Sequence, residues 1–436
     1  MARSTFSIRW LLIFWIFVIG AIAYLDRVNI SIAGGDISRE FHLSNVQLGW
    51  VFSAFIAGYA VFQAPGGRLA DRFGARVVLT VGVLWWGIFT SAITLVSPRL
   101  FSPLITLISI RFLLGMGEGL LYPAANCIVA SWIPSTERGI ANGFIFSGVG
   151  VGAGITPPVI TYFILHYGWR SSFWASSLLG FAAGLVWYAI ARDRPSLHPW
   201  MSREELKRIE TGLPPIVSRE GAIVKMGWGA ILRNHSLLAL TFSYFCYGYA
   251  AYIFFSWFFI YLNTERGLDL KRSSYYSMLP FLAMAVCSPL GGWVSDRITR
   301  IRGVRAGRCS LSAVSMGVSA LFLILGMRVQ TAPLASIVLA GGAGALYFSQ
   351  SCFWSMSADI GKNSAGTVSG VMNMGAQIGG AVTASLTPLI ANHFGWTASF
   401  LVAAGLAAAG ALAWLFVEPI TDTTSGQYVA RPPLAS

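Results

Sequence analysis

The sequence predicts an all-α membrane protein whose twelve transmembrane helices form two pseudo-symmetric six-helix bundles. Three observations carry this. The 436 residues are 55% hydrophobic and only 11% charged, with a mean hydropathy of +0.65, whereas a soluble domain carries about 25% charged residues. Twelve apolar segments approach or exceed the roughly 20 residues that cross a bilayer as a helix. They fall six and six around one polar stretch, and the two sets repeat each other.

In chain order the apolar segments cover 9–33, 46–66, 77–97, 103–130, 139–165 and 171–191, then 236–262, 273–294, 308–327, 332–358, 366–392 and 396–417. The predicted division is therefore an N-terminal bundle over 1–191, a cytoplasmic linker over 192–235, and a C-terminal bundle with a cytoplasmic tail over 236–436. Within the linker, Ser202-Arg-Glu-Glu205 has the pattern of a capping box and predicts a short surface helix. Arg3 and Arg9 ahead of the first segment give it the look of a signal peptide. Its apolar run outlasts the roughly 7–15 residues of a signal core, so it is expected to remain as the first helix.

Loop charge sets the orientation. With the N-terminus inside, the inner loops, linker and tail hold 21 Lys and Arg, against seven outside (Arg39, Arg99, Arg170, Arg266, Lys271, Arg272, Arg328). Arg27 and Arg111 lie within spans. Inner loops are enriched in basic residues, which predicts both termini in the cytoplasm of a cell (inner or plasma) membrane. The same bias accounts for the net charge of +13 without a nucleic-acid partner.

The repeat is specific. Gly143, Gly148, Gly152, His166, Gly168, Trp169 and Phe173 recur at one constant offset as Gly370, Gly375, Gly379, His393, Gly395, Trp396 and Phe400. Gly66-Gly67-Arg-Leu-Ala-Asp71-Arg72 recurs at almost the same offset as Gly291-Gly292-Trp-Val-Ser-Asp296-Arg297. Six spans separate the copies, so both halves share one orientation, the parallel repeat of one large class of secondary transporters.

Charge inside the spans is sparse. Of 17 acidic residues only Asp26 and Glu118 lie deep, with Asp359 near the end of the tenth span. Arg111 and Glu118 are two helical turns apart, so they point to nearly the same side, which Tyr122 and Asn126 continue. Gly115, Gly117 and Gly119 let a neighbouring helix approach. An ionisable group at bilayer depth costs at least about 2.5–3.5 kcal/mol and faces a partner or a watery cavity. Burial raises a carboxyl pKa and a nearby arginine lowers it, so such a pair is suited to proton exchange. The structural alternative is a set of permanent ion pairs that only fasten helices together. The five cysteines and five histidines show no metal spacing, and no nucleophile–base pattern appears. Neither an enzyme nor a cofactor is expected, with protons as the coupling ion.

Gly67-Arg-Leu-Ala-Asp71-Arg72-Phe-Gly74-Ala-Arg76 resembles the signature loop of the major facilitator superfamily, and Arg111-x-x-x-Gly115 resembles its fourth-helix pattern, with Leu114 in place of the usual polar residue. Tyr24-Leu-Asp26-Arg27-Val-Asn29, Arg111 with Glu118, Ala130-Ser-Trp-Ile-Pro134 and Gly370-Val-Met-Asn373 resemble the anion:cation symporter branch, which includes sugar-acid, hexuronate and galactonate permeases. The resemblance implies proton-coupled symport of a small organic anion by alternating access, such as a hexuronate, aldonate or aldarate. The alternative is an antiporter or uniporter for a dicarboxylate or aromatic acid. Asp26 and Glu118, with Arg111, would couple protons, and Arg27 would meet the substrate carboxylate. Tyr24, Tyr59 and Asn373 match positions that line the sugar-acid site. Val149 stands where galactonate-type carriers have glutamine. The residues themselves add Tyr122, Tyr244, Ser351, Trp354 and Gln377 as polar or aromatic candidates. Asp71, Arg72, Arg76, Asp296 and Arg297 are the expected cytoplasmic gate. The bilayer and the anion are the expected partners, and the protein is expected to work as a monomer.

Overall fold

The computed structural model describes residues 7–43, 45–213, 218–219, 222–223, 226–258, 261–268 and 270–419; the expected tail beyond 419 lies outside them. Helices α1 (Ile8–Phe41), α2 (Asn45–Phe73) and α3 (Ala75–Ile93) make the first three spans. The fourth is broken into α4 (Pro103–Glu118) and α5 (Leu121–Trp132), and α6 (Arg138–Tyr167) and α7 (Trp169–Ile190) complete the first half. The linker holds α8 (Arg203–Gly212), a two-residue antiparallel pairing of Ser218–Arg219 with Ala222–Ile223, and α9 (Trp228–Leu232).

The second half starts with α10 (His235–Ser256). The eighth span is α11 (Leu270–Ser277) with α12 (Leu279–Val304), and the ninth is α13 (Leu311–Arg328). The tenth is broken into α14 (Ala332–Phe348) and α15 (Gln350–Gly361). The last two run as α16 (Ala365–Ala413), bent at Gly395. Nine stretches among the described residues are long and apolar enough to cross a membrane; Tyr275–Arg328 and Ala332–Ala384 each hold two spans, and the less apolar α2 completes the twelve.

Small residues set the packing. Without a hydrophobic drive between helices in lipid, close backbone approach supplies the contact. An added Cβ at Gly58 would stand 2.1 Å from the Phe112 carbonyl oxygen, and one at Gly115 2.2 Å from that of Phe55, so α2 and α4 touch backbone to backbone. Gly248 and Gly379 do the same for α10 and α16, at 2.2 Å from the carbonyl oxygens of Ala376 and Phe245. Helix starts follow the expected chemistry: Ser102 Oγ accepts from Ile105 N ahead of Pro103, Asn234 Oδ1 from Leu237 N, and Ser202 Oγ from Glu205 N. The Glu205 carboxylate in turn caps α1, accepting from Ile8 N and Arg9 N at 3.1 Å and from the Ser7 hydroxyl. The linker helix is thereby fixed to the first half.

Candidate functional site

On the face that carries the Gly66–Arg76 and Gly291–Arg308 turns, the halves are closed against each other by two matching contacts. Asp71, at the end of α2, accepts from Gly366 N at 3.0 Å, from Thr367 N at 2.8 Å and from the Thr367 hydroxyl, all at the start of α16. Asp296, in α12, accepts from Gly139 N at 2.9 Å and Ile140 N at 2.7 Å at the start of α6. Each carboxylate thus sits on the unsatisfied N–H groups and positive dipole end of a helix in the opposite half. Gly67 and Gly292 bring the backbones together there: an added Cβ would lie 2.0 Å from the Gly366 carbonyl oxygen and 2.1 Å from that of Gly139.

The arginines of the expected gate take other partners. Arg72 lies over Phe73, and Arg297 over Trp293. Arg76 ties α3 to α7 within one half: its Nε donates to Tyr188 O at 3.0 Å and its backbone N to Asp193 Oδ1 at 2.9 Å. Sequence reasoning missed a third closure. Arg138 Nη1 pairs with Asp359 Oδ1 at 2.5 Å, and the fully buried Arg308 pairs with Asp359 Oδ2. Arg308 also donates to Ser135 O, so the cluster spans both halves. Asp359 was the signal, as the third acid near a span.

Toward the other face the halves part around a cavity of about 210 Å³. Tyr24, Arg27, Val28 and Ile30 of α1, Phe52, Phe55 and Ile56 of α2, and Arg111 of α4 form one wall; Tyr252 and Phe255 of α10 and Gln377 of α16 form the other. Arg27 Nη2 pairs with Glu118 Oε2 at 2.8 Å, and Glu118 is fully buried. The Arg27 guanidinium is boxed by aromatic rings, its carbon 4.5 Å from the centroid of Tyr24, 4.6 Å from Tyr59 and 5.0 Å from Phe55. Arg111 covers the same Phe55 ring at 4.6 Å, and its buried Nε and Nη1 have no hydrogen-bond partner among the described residues.

Helical spacing puts Arg111 and Glu118 on nearly one side and leaves their partners open. Glu118 pairs with Arg27 across helices rather than with Arg111 two turns back on its own. Asp26 does not line the cavity. It is 2% exposed inside the first bundle, where Thr90 Oγ1 lies 3.5 Å from Oδ2 and Oδ1 has no partner among the described residues. Consecutive helical residues point about 100° apart, at 3.6 residues per turn; with Arg27 toward the opening, Asp26 turns inward.

The remaining candidates, apart from Gln377 on the cavity wall, pack in the closed seam below the cavity. Tyr122 stacks on Phe146 with centroids 4.8 Å apart and leans on Trp354 at 5.7 Å. Tyr244 Oη accepts from Trp354 Nε1 and Gln350 Nε2, both at 2.9 Å. Ser351 is buried, its hydroxyl without a partner among the described residues. Asn373 Nδ2 donates to Gln63 Oε1 at 2.9 Å across the halves, and Gln377 Oε1 accepts from Tyr252 Oη at 2.8 Å.

The Major Facilitator Superfamily model matches residues 16–384. The chain is 34% identical over 406 residues to the probable sulfoacetate transporter of Cupriavidus necator, covering 93% of this chain and 92% of that protein. It is 30% identical to the hexuronate transporter of Bacillus subtilis, covering 96% of this chain and 97% of the other. The solved structure of a proton:xylose symporter bound to 6-bromo-6-deoxy-D-glucose superposes with a TM-score of 0.73 at 16% identity, over 95% of this chain and 96% of that one; at that identity it speaks for the fold.

Proposed function

The chain belongs to the major facilitator superfamily and is a membrane transporter rather than an enzyme, and from that premise we propose that it carries a small organic anion together with protons by alternating access. The observation that carries this reading is the cavity wall itself: two guanidiniums flank one ring, and one of them is held by a buried carboxylate. An ionised Glu118 occupies Arg27. A proton on Glu118 ends that attraction and frees the planar fork of Arg27 for an incoming carboxylate or sulfonate, which guanidinium binds bidentately.

Loading the cavity would then favour closure over the anion and release of the closed seam on the other face. Anion and protons leave together once Glu118 loses its proton and Arg27 returns to it. Asp26, sealed behind α1, would act as a second proton carrier by its charge rather than by touching the cargo. The relatives that transport sulfoacetate and hexuronate, both small acids, support this cargo class, as does a cavity below the roughly 300–1,000 Å³ typical of drug-sized ligands. Loop charge supports both termini in the cytoplasm, so the closed face would be the inner one.

Purified protein in proteoliposomes tests the reading. An inward proton gradient should drive accumulation of sulfoacetate or galacturonate. Glu118→Gln should abolish gradient-driven accumulation while leaving counterflow exchange. Equal accumulation by wild type and variant rejects the proton role, and wild-type counterflow without pH dependence points to the antiporter or uniporter alternative.

A further inference from the structure

We propose that the cavity selects short dianions, organic acids with a second carboxylate or a sulfonate, over monoanions of the same carbon skeleton, and that Arg111 is the residue that makes this choice. The inference rests on the anion-transport reading above and narrows it. Arg27 and Arg111 stand against the same Phe55 ring, at 5.0 and 4.6 Å from its centroid. Their guanidinium carbons can therefore be no farther apart than those two distances laid end to end. A chain of about two to six carbons, at about 1.5 Å per bond, brings an acid group to each.

The two arginines differ in what already satisfies them. Arg27 has Glu118 at 2.8 Å and the Tyr24 hydroxyl at 3.4 Å. Arg111 is 2% exposed and lines the cavity, yet its Nε and Nη1 meet no acceptor among the described residues. A buried donor without an acceptor carries its full desolvation cost, more when charged. The other ionisable groups around the two arginines are Asp26, Glu118 and the phenols of Tyr24, Tyr59 and Tyr252. The opposite wall contributes Tyr252, Phe255 and Gln377 and no charge.

Charge matching follows. With Asp26 and Glu118 ionised the four groups sum to zero, and Arg27 is occupied. With both protonated, two guanidiniums face the cavity uncompensated. A monoanion then answers Arg27 and leaves Arg111 a buried unpaired cation when the halves close, the costly arrangement for an ion pair. A dianion answers both. Arg111 is in this sense a specificity-determining residue, and the second acid group of the cargo is its acceptor.

The test compares matched pairs in proteoliposomes of the full-length wild-type protein: D-glucarate with D-gluconate, succinate with butyrate, and sulfoacetate with acetate. In at least one pair the dianion should enter about ten- to a hundredfold faster, the worth of one charge-assisted hydrogen bond. Arg111→Gln should cut uptake of that dianion by a similar factor and bring the pair level. Comparable entry of both members of every transported pair overturns the dianion proposal and leaves anion transport standing. An Arg111→Gln protein that keeps the full preference overturns the assignment of that choice to Arg111. No uptake or counterflow of any of the six acids overturns both readings together. The wild-type comparison does not depend on the variant folding.

Discussion

Gly67→Ala should pry open the closed face. The methyl group at 67 would stand 2.0 Å from the Gly366 carbonyl oxygen, 2.4 Å from its carbonyl carbon and 2.9 Å from Thr367 N. All three are backbone atoms, so no side-chain rotation relieves them, and α2 and α16 must separate by about 1 Å to restore ordinary packing. That movement also stretches the bonds from Gly366 N and Thr367 N to Asp71, now 3.0 and 2.8 Å. Overpacking of this kind costs about 1–3 kcal/mol. Because the strain exists only while the halves touch, it shifts the balance between closed and open faces by about 5–150-fold.

Cys127 reports the change, since its thiol lies 3.2 Å from Asp71 Oδ1 in the same seam. In a protein with Cys246, Cys287, Cys309 and Cys352 replaced by serine, maleimide should react with Cys127 at least about fivefold faster after Gly67→Ala. Gly154→Ala is the control, because an added Cβ there meets nothing within 4 Å. Wild-type labelling in the Gly67→Ala protein would refute the reasoning.

Four further substitutions probe the rest of the frame. Asp359→Asn removes the carboxylate shared by Arg138 and Arg308, the latter fully buried; an abandoned buried charge costs about 3–5 kcal/mol, read as a lower unfolding temperature and faster Cys127 labelling. Gly168→Ala and Gly395→Ala each place a side chain where φ is +78° and +82°, with ψ 161° and 162°, a region essentially reserved for glycine. With no neighbour within 4 Å at either site, the cost is backbone strain alone, about 1–3 kcal/mol, and thermal unfolding should show the two variants falling by the same amount. At the far end of α1, Glu40 accepts from Arg170 Nη1 at 2.7 Å and Trp169 Nε1 at 2.9 Å, and the bond from Arg170 holds its carboxyl below the ordinary 4.5. A depressed folded pKa means that stability is fully present above the ordinary value and is lost as pH falls through the lower folded one. The unfolding temperature of the wild type should therefore drop below pH 4.5 by more than that of Glu40→Gln.

Much of this architecture could be read before any coordinates. Apolar length gave the spans, and the offset repeats gave the parallel halves. The closed face illustrates how far that went. Asp71 and Asp296 are equivalent positions of the repeated turn, and the N–H groups they accept from, Gly366 with Thr367 and Gly139 with Ile140, are related by the constant offset of the glycine repeat. One contact is thus made twice. What stayed hidden was the rotation of each helix about its axis. Spacing says that Arg111 and Glu118 share a side but not which neighbour that side meets. The answer lies in Gly115 against Phe55 and Gly58 against Phe112, which seat α4 on α2 and turn Glu118 toward Arg27. Arg138 and Arg308 were equally hidden, because a basic residue near a span end reads as topology until its acid is found in space.

The two halves are alike at the closed face and unlike around the cavity. The Asp71 and Asp296 contacts are near copies, so rocking the halves apart breaks both at once. The Arg138–Asp359–Arg308 cluster has no such copy among the described residues and adds to the closure of that one face. Once opened to water, ion pairs of this kind contribute only about 0–1 kcal/mol, so opening gives up most of what they supply when sealed. A ligand can shift such a balance only by binding one state better than the other. The compensating gain must therefore come from the opposite side of the molecule, where Arg27, Arg111, Asp26 and Glu118 all belong to the first half and the second half offers a neutral wall. On the proposed reading, charge on cargo and coupling ion would be sensed by one bundle alone, and the other would complete the enclosure only when that charge is matched.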